Sequence, residues 1–223
     1  MTISRSVIFD LDGTLLDSLD DLADSVNFAL AQHGLPPRTR EEVRALLGNG
    51  VKALVRGALP EADGESAFAA VYESFHARYL HHCMDKTCPY PGVLAALQRL
   101  RAEGFALGIV SNKLDEMVQQ LYRRFFASYV DVALGERPGL RRKPWPDGVR
   151  VVAEQLGCPP GAAVYVGDSE VDLATAANAG MQCLSVAWGF RSREYLAQCG
   201  ARHIIAAPED LPEAVARLLQ GQV

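Results

Sequence analysis

Asp10 and Asp12 stand two residues apart in Asp10-Leu11-Asp12-Gly13-Thr14, directly after the apolar run Val7-Ile8-Phe9. A carboxylate at the mouth of a strand can attack an electrophile, and a second one beside it can hand a proton to a leaving group and take one back from water. In extended backbone, residues i and i+2 share a side, and Gly13 permits the sharp turn that must follow. Thr14 adds a hydroxyl and the next backbone donors. A second acidic string, Gly167-Asp168-Ser169-Glu170-Val171-Asp172, follows another apolar run far along the chain. Its i, i+4 spacing predicts one helical face for Asp168 and Asp172. Each string also has a plainer reading. DxDG occurs in ordinary turns and calcium loops, although Asp21, at the twelfth loop position, falls inside a helical pattern. Acids gather at helix N-termini for capping and dipole reasons. Together the strings say more, because carboxylates about 4 Å apart repel by roughly 4 kcal/mol at an effective dielectric near 20. A hard cation such as Mg2+, which takes carboxylate, carbonyl, water and phosphate oxygens, would make such a crevice tolerable.

Two further groups fit the same chemistry. Ser111-Asn112 follows the apolar Gly108-Ile109-Val110, where a hydroxyl and backbone donors can hold a phosphoryl oxygen; the pair is equally a common helix start. Lys143 lies in Arg142-Lys143-Pro144-Trp145-Pro146, whose prolines stiffen the backbone and can fix the direction of the ammonium, although most lysines are simply solvated.

The elements that must position these groups read as strand alternating with helix. Val7–Phe9, Ala106–Val110, Val130–Leu134, Ala163–Val166, Cys183–Ala187 and a weaker His203–Ile205 are short and almost continuously apolar, as strands buried on both faces are. Helical spacing fills Val93–Glu103, Met117–Phe125, Val149–Leu156, Val171–Ala179 and Leu211–Leu219. This alternation predicts an α/β fold, a doubly wound parallel sheet whose ligands bind beyond the carboxyl ends of the strands, where both acidic strings fall. Residues 18–87 break the pattern. They hold only helical periodicity, with Leu19, Leu22, Ala23, Val26 and Leu30 on one face and Phe68, Val71, Tyr72, Phe75 and Tyr79 on another. We therefore expect a small all-helical cap at 18–87, inserted after the first strand into a Rossmann-like core made of 1–17 and 88–223.

With 223 residues, 49% of them apolar, the chain can bury a sizeable core. A formal net charge of −5 argues against nucleic acid or a membrane surface as partner. Five cysteines without CxxC spacing fit free thiols in a reducing cytoplasm, and no apolar stretch approaches spanning length. The negative charge does not exclude a small anionic substrate, because a bound metal and one or two lysines can reverse the sign locally.

The order DxDGT, Ser-Asn after a strand, Lys-Pro-x-Pro and GDSxxD resembles the four motifs of the haloacid dehalogenase superfamily, over nearly the whole chain. The resemblance implies that Asp10 is a nucleophile forming an aspartyl-phosphate and that Asp12 is general acid, then base. It implies that Ser111 and Lys143 neutralise the phosphoryl oxygens, with Gly13, Thr14 and Asn112 lining the phosphate site. It further implies that Asp10, Asp12 through its carbonyl, and Asp168 bind magnesium, with Asp172 in support. An acid at position 12 resembles the phosphatases and mutases of the superfamily rather than its dehalogenases. Leu47-Gly48-Asn49-Gly50-Val51 followed by Ala53-Leu54-Val55-Arg56 looks like the cap signature of the phosphoglycolate phosphatases. There Gly48, Asn49 and Gly50 would offer backbone N–H groups to a small anion and Arg56 a charge, although a plain turn between cap helices has the same composition. The resemblance implies magnesium-dependent hydrolysis of a small-molecule phosphate ester, 2-phosphoglycolate, by a monomer or homodimer. The alternatives are another small phosphate such as a sugar phosphate or pyrophosphate, a phosphosugar mutase, and a binding module without catalysis. Trp145, Gly148 and Leu114-Asp115 depart from the family pattern and bear on the substrate rather than the chemistry.

Overall fold

Val7, Ile8 and Phe9 have no solvent exposure, and the strand they form, β1 (Ser6–Phe9), is central to a six-stranded sheet. The structure, a computed structural model, describes residues 5–60, 64–159 and 162–220. The other strands are β2 (Ala106–Leu114), β3 (Val132–Glu136), β4 (Ala163–Gly167), β5 (Gln182–Val186) and β6 (Ile204–Ile205). They lie in the order β3-β2-β1-β4-β5-β6, and every pairing is parallel. Chain order therefore reverses beside β1, and the turns after β1, β2 and β4 diverge there to open a crevice at the carboxyl ends.

Both faces of the sheet are covered, which is why its strands do not alternate with polar residues. Val7, Phe9, Leu107, Ile109, Val164 and Val166 pack on one side with α5 (Val93–Ala102), α6 (Asp115–Leu121) and α10 (Leu211–Gln220). Ile8, Val110 and Tyr165 pack on the other with α7 (Asp147–Gln155) and α8 (Glu170–Ala179).

The chain divides into two compact units, residues 1–16 with 89–223, and residues 17–88. Short strands at Leu16–Asp17 and Cys88–Pro89 mark where it passes from one to the other. The second unit consists of α1 (Leu19–Gln32), α2 (Arg40–Leu46), α3 (Gly50–Ala58) and α4 (Glu65–His82). Its interior is the apolar face read from the sequence, with Leu22, Val26, Leu30, Val43, Leu54, Val71, Phe75 and Tyr79 buried. The Phe75 and Tyr79 rings stack at 5.3 Å, whereas Phe68 and Tyr72 are only half-buried. Buried Asp21 accepts hydrogen bonds from the Lys86 and Thr87 N–H groups and the Thr87 hydroxyl, which ties the end of this unit to its first helix.

Several boundaries differ from the expected ones. β2 runs on to Leu114, so Ser111 and Asn112 lie on the strand and open no helix. The register of β2 against β3 shifts between Val110 and Leu114, which lets the tail turn toward the crevice. β3 starts at Val132 because the Val130 N–H is committed to the preceding turn, on the Phe126 carbonyl. The helix expected over Met117–Phe125 is α6 followed by a π-helical turn, Tyr122–Phe126. A short helix, α9 (Arg193–Gln198), was not expected; the Ser192 hydroxyl caps it.

Candidate active site

The first acidic string leaves β1 at Asp10, where the Asp10 N–H still donates to the Val166 carbonyl of β4. Gly13 then turns the chain at φ 88°, and a Cβ there would strike the Asp168 carboxylate. Only glycine allows the two acidic turns to close on each other. The Thr14 hydroxyl crosses the same gap and donates to Asp168 Oδ1 at 3.1 Å.

The second string is built differently from the sequence expectation. α8 begins at Glu170, so Asp168 stands in the turn before the helix and does not share a helical face with Asp172. Ser169 is the N-cap and Asp172 the third helical residue of a capping box: Asp172 Oδ2 accepts the Ser169 hydroxyl at 2.6 Å and its N–H at 3.1 Å. The capping role and the site role of Asp172 thus coexist, because its other oxygen faces inward. Asp172 Oδ1 accepts Lys143 Nζ at 2.8 Å and the Tyr165 hydroxyl at 3.2 Å.

Lys143 is the hub. Its ammonium, 3% exposed, also meets Asp10 Oδ1 at 2.7 Å. The two stiffening prolines are accompanied by a more direct clamp, in which the Asn112 side-chain amide donates to the Lys143 carbonyl at 3.1 Å and accepts the Lys143 N–H at 2.8 Å. Asn112, expected to line the phosphate site, thus has its amide on the Lys143 main chain. Arg141 lies over the Trp145 ring at 4.1 Å and pairs with Asp147, which ties down the basic approach to Lys143.

Among the described residues, one acidic cluster could hold a metal: Asp10, Asp168 and Asp172, all buried, with ligand oxygens within 4.8 Å of one another. Burial pushes Asp168 up to about 7, with repulsion from Asp172 adding to it against the pull of the Phe190 N–H and the Thr14 hydroxyl. Burial likewise raises Asp10, Lys143 draws it back, and Asp172 and Asp168 raise it further. For Lys143 burial alone would favour the neutral amine, but Asp10 and Asp172 outweigh it and hold the ammonium charged well above the usual lysine range. Burial also lifts the Tyr165 hydroxyl well above its ordinary value, so it remains a donor. Three carboxyl groups share one pocket with a single ammonium that pairs with two of them, leaving a hard-oxygen set short of positive charge, which is the donor set magnesium takes.

The Asp12 carboxylate is outside this trio. It pairs with Lys113 Nζ at 2.8 Å, so the side chains of Asp10 and Asp12 go to different lysines. Ser111 reaches the crevice on the tail of β2, its hydroxyl accepting the Lys113 N–H. In the helical unit, Gly48 and Gly50 have φ of 111° and 79°, and Asn49 is the N-cap of α3. Arg56 is held within that unit by both oxygens of Glu65 and lies over the Phe68 ring at 4.0 Å.

Three contributions lie outside the four motifs. Lys113, buried, is carried on the irregular tail of β2, which no residue pattern announces. Tyr165 reads as a core residue of β4, and only the fold brings its hydroxyl to Lys143 Nζ at 3.2 Å. Trp188-Gly189-Phe190 builds the wall behind Asp168: the Phe190 N–H donates to Asp168 Oδ2 at 2.7 Å and the Trp188 indole to the Thr14 carbonyl at 3.0 Å. A Cβ on Gly189 would meet the Gly13 carbonyl and Asp168.

A doubly wound sheet with an aspartate nucleophile candidate, a lysine and a metal-ready acidic trio at its switch point defines a class, and the comparisons agree: the chain belongs to the haloacid dehalogenase-like hydrolase family, matched over residues 7–186. It is a phosphoric monoester hydrolase similar to the phosphoglycolate phosphatases. It is 35% identical over 218 residues to the phosphoglycolate phosphatase of Cereibacter sphaeroides, covering 96% of this chain and 98% of that one. The Aquifex aeolicus phosphoglycolate phosphatase is 33% identical over 187 residues, 83% of this chain and 86% of its own. A crystal structure of a Lactobacillus delbrueckii subsp. bulgaricus protein, provisionally assigned as a phosphoglycolate phosphatase, superposes with a TM-score of 0.91 at 38% identity, covering 96% of this chain and 99% of that one. No helix among the described residues is long and apolar enough to cross a membrane.

Proposed function

We propose that the chain hydrolyses 2-phosphoglycolate through a phosphoryl group carried on Asp10. The observation that carries this reading is the Asp10–Lys143 pair, 2.7 Å apart and buried beside Asp168 and Asp172. An Asp10 oxygen attacks phosphorus and forms the acyl-phosphate bond while the ester P–O bond breaks and Asp12 gives its proton to the departing oxygen. Water then attacks the same phosphorus, Asp12 takes the water proton, and inorganic phosphate leaves as the Asp10 carboxylate is restored. Lys143 and the Ser111 hydroxyl neutralise the phosphoryl oxygens, and positioning together with charge compensation supplies most of the rate.

Asp10, Asp168 and the Asp12 carbonyl would hold magnesium, with Asp172 keeping Lys143 and the Ser169 turn in place. Bound there, the cation would offset the charge of the carboxylates and of the phosphate. The substrate assignment is supported by the relatives named above and by the Gly48-Asn49-Gly50 turn, whose N–H groups at the start of α3 suit a small carboxylate. In this reading the helical unit acts as the cap, and the enzyme is a cytoplasmic monomer or homodimer.

The test is a panel of phosphoglycolate, pyrophosphate, sugar phosphates and a nucleotide, assayed with magnesium and with a chelator. Phosphoglycolate should be turned over fastest, chelation should abolish turnover, and Asp10→Asn should bring it to background. Undiminished turnover in Asp10→Asn removes the nucleophile; preference for another ester changes the substrate and leaves the chemistry.

A further inference from the structure

Lys113 is a buried lysine whose side chain is 1% exposed. Its main chain is the irregular tail of β2, where its N–H rests on the Ser111 hydroxyl at 3.2 Å. Its carbonyl lies against Gly135, where a Cβ would come within 2.7 Å of it. From this mount the ammonium reaches Asp12 Oδ1 at 2.8 Å, and the Asp12 side chain, 19% exposed, is the outer member of the pair. A buried ion pair of this kind is weak evidence for stability, because desolvation offsets much of the attraction. What it does secure is direction. The pair directs one oxygen of the Asp12 carboxylate at a buried ammonium mounted on the sheet.

We propose that Lys113 is a positioning residue that holds the Asp12 carboxylate in the orientation needed to take the proton from the water that hydrolyses phospho-Asp10. This rests on the mechanism proposed above. In that half of the cycle the water O–P bond forms, the Asp10 O–P bond breaks, and the water proton goes to the carboxylate that Lys113 orients. Departure of a weakly basic phenolate in the first half needs no proton, so with an aryl phosphate the two halves respond differently to loss of Lys113. A lysine that only bound phosphate or held the fold would affect them alike.

The experiment is rapid-mix hydrolysis of p-nitrophenyl phosphate with magnesium, following p-nitrophenolate release and acid-quenched phosphoprotein in the wild type and in Lys113→Met. The variant should release one equivalent of p-nitrophenolate per site in a burst and accumulate hydroxylamine-labile phosphoprotein. Hydrolysis of the phosphoprotein should slow by about 100-fold or more, in line with the usual contribution of a positioned base, and its formation by less than about 10-fold. Lys113→Arg, which keeps the charge, should recover part of the second step; if the Met variant does not fold, the Arg variant should itself be slowed more in the second half than in the first. Equal slowing of both halves, or slowing of neither, overturns the proposal. If the wild type forms no phosphoprotein and Asp10→Asn stays active, the failure lies in the mechanism instead.

Discussion

At the scale of single residues, the site works by giving each polar group more than one contact. Tyr165 shows it best: its hydroxyl lies 3.2 Å from both Lys143 Nζ and Asp172 Oδ1, with no exposure of the residue to solvent. Tyr165→Phe removes that bridge without opening a cavity, and it should lower unfolding stability by about 1 kcal/mol, the usual net value of a buried hydrogen bond. Urea denaturation in a chelator measures it; an unchanged midpoint would mean that water replaces the hydroxyl. Gly189 makes the complementary case. Gly189→Ala drives a methyl group toward the Gly13 carbonyl and Asp168, so magnesium affinity should fall at least about tenfold, measured by titrating activity with the metal, while the far-ultraviolet dichroism stays that of the parent.

At the scale of elements, the clamp between β2 and the Lys143 loop is the part to test. Asn112→Ala removes both contacts to the Lys143 main chain, leaving a buried N–H and a buried carbonyl without those partners. Stability should fall by about 1–3 kcal/mol and turnover should drop, with Asn112→Asp, which can still accept the Lys143 N–H, less impaired. The same elements show what the sequence could convey. Strands buried on both faces leave an uninterrupted apolar record, so β1, β2 and β4, and the acids at the ends of β1 and β4, were legible. A strand that shifts register does not leave one: nothing in Ser111-Asn112-Lys113 says that the strand continues and turns its third residue to Asp12. The i, i+4 spacing of Asp168 and Asp172 misled because it assumes both residues are helical, whereas the helix starts between them, at Glu170. Gly189 and Phe190 are not legible because they contribute a missing Cβ and a backbone N–H, which no side-chain pattern encodes.

At the scale of the whole molecule, the acidic trio makes stability depend on pH and metal. Burial pushes the Asp168 carboxyl up to about 7, well above the usual carboxylate range of about 4. Between those values the folded state binds more protons than the unfolded one, so stability of the metal-free protein falls as pH rises and its contribution is lost above about 7. Thermal melting in a chelator should therefore give a higher midpoint at pH 5 than at pH 8, and magnesium should raise the pH 8 midpoint most, because the cation binds the ionised form. A chelated midpoint that climbs over the same range would contradict this assignment. The Thr14–Asp168 bond also joins residues 154 positions apart. The two acidic turns are thus brought together by the sheet itself, since β1 and β4 must pair before Asp168 can face Gly13. A fragment carrying either turn alone therefore lacks at least one member of the acidic trio.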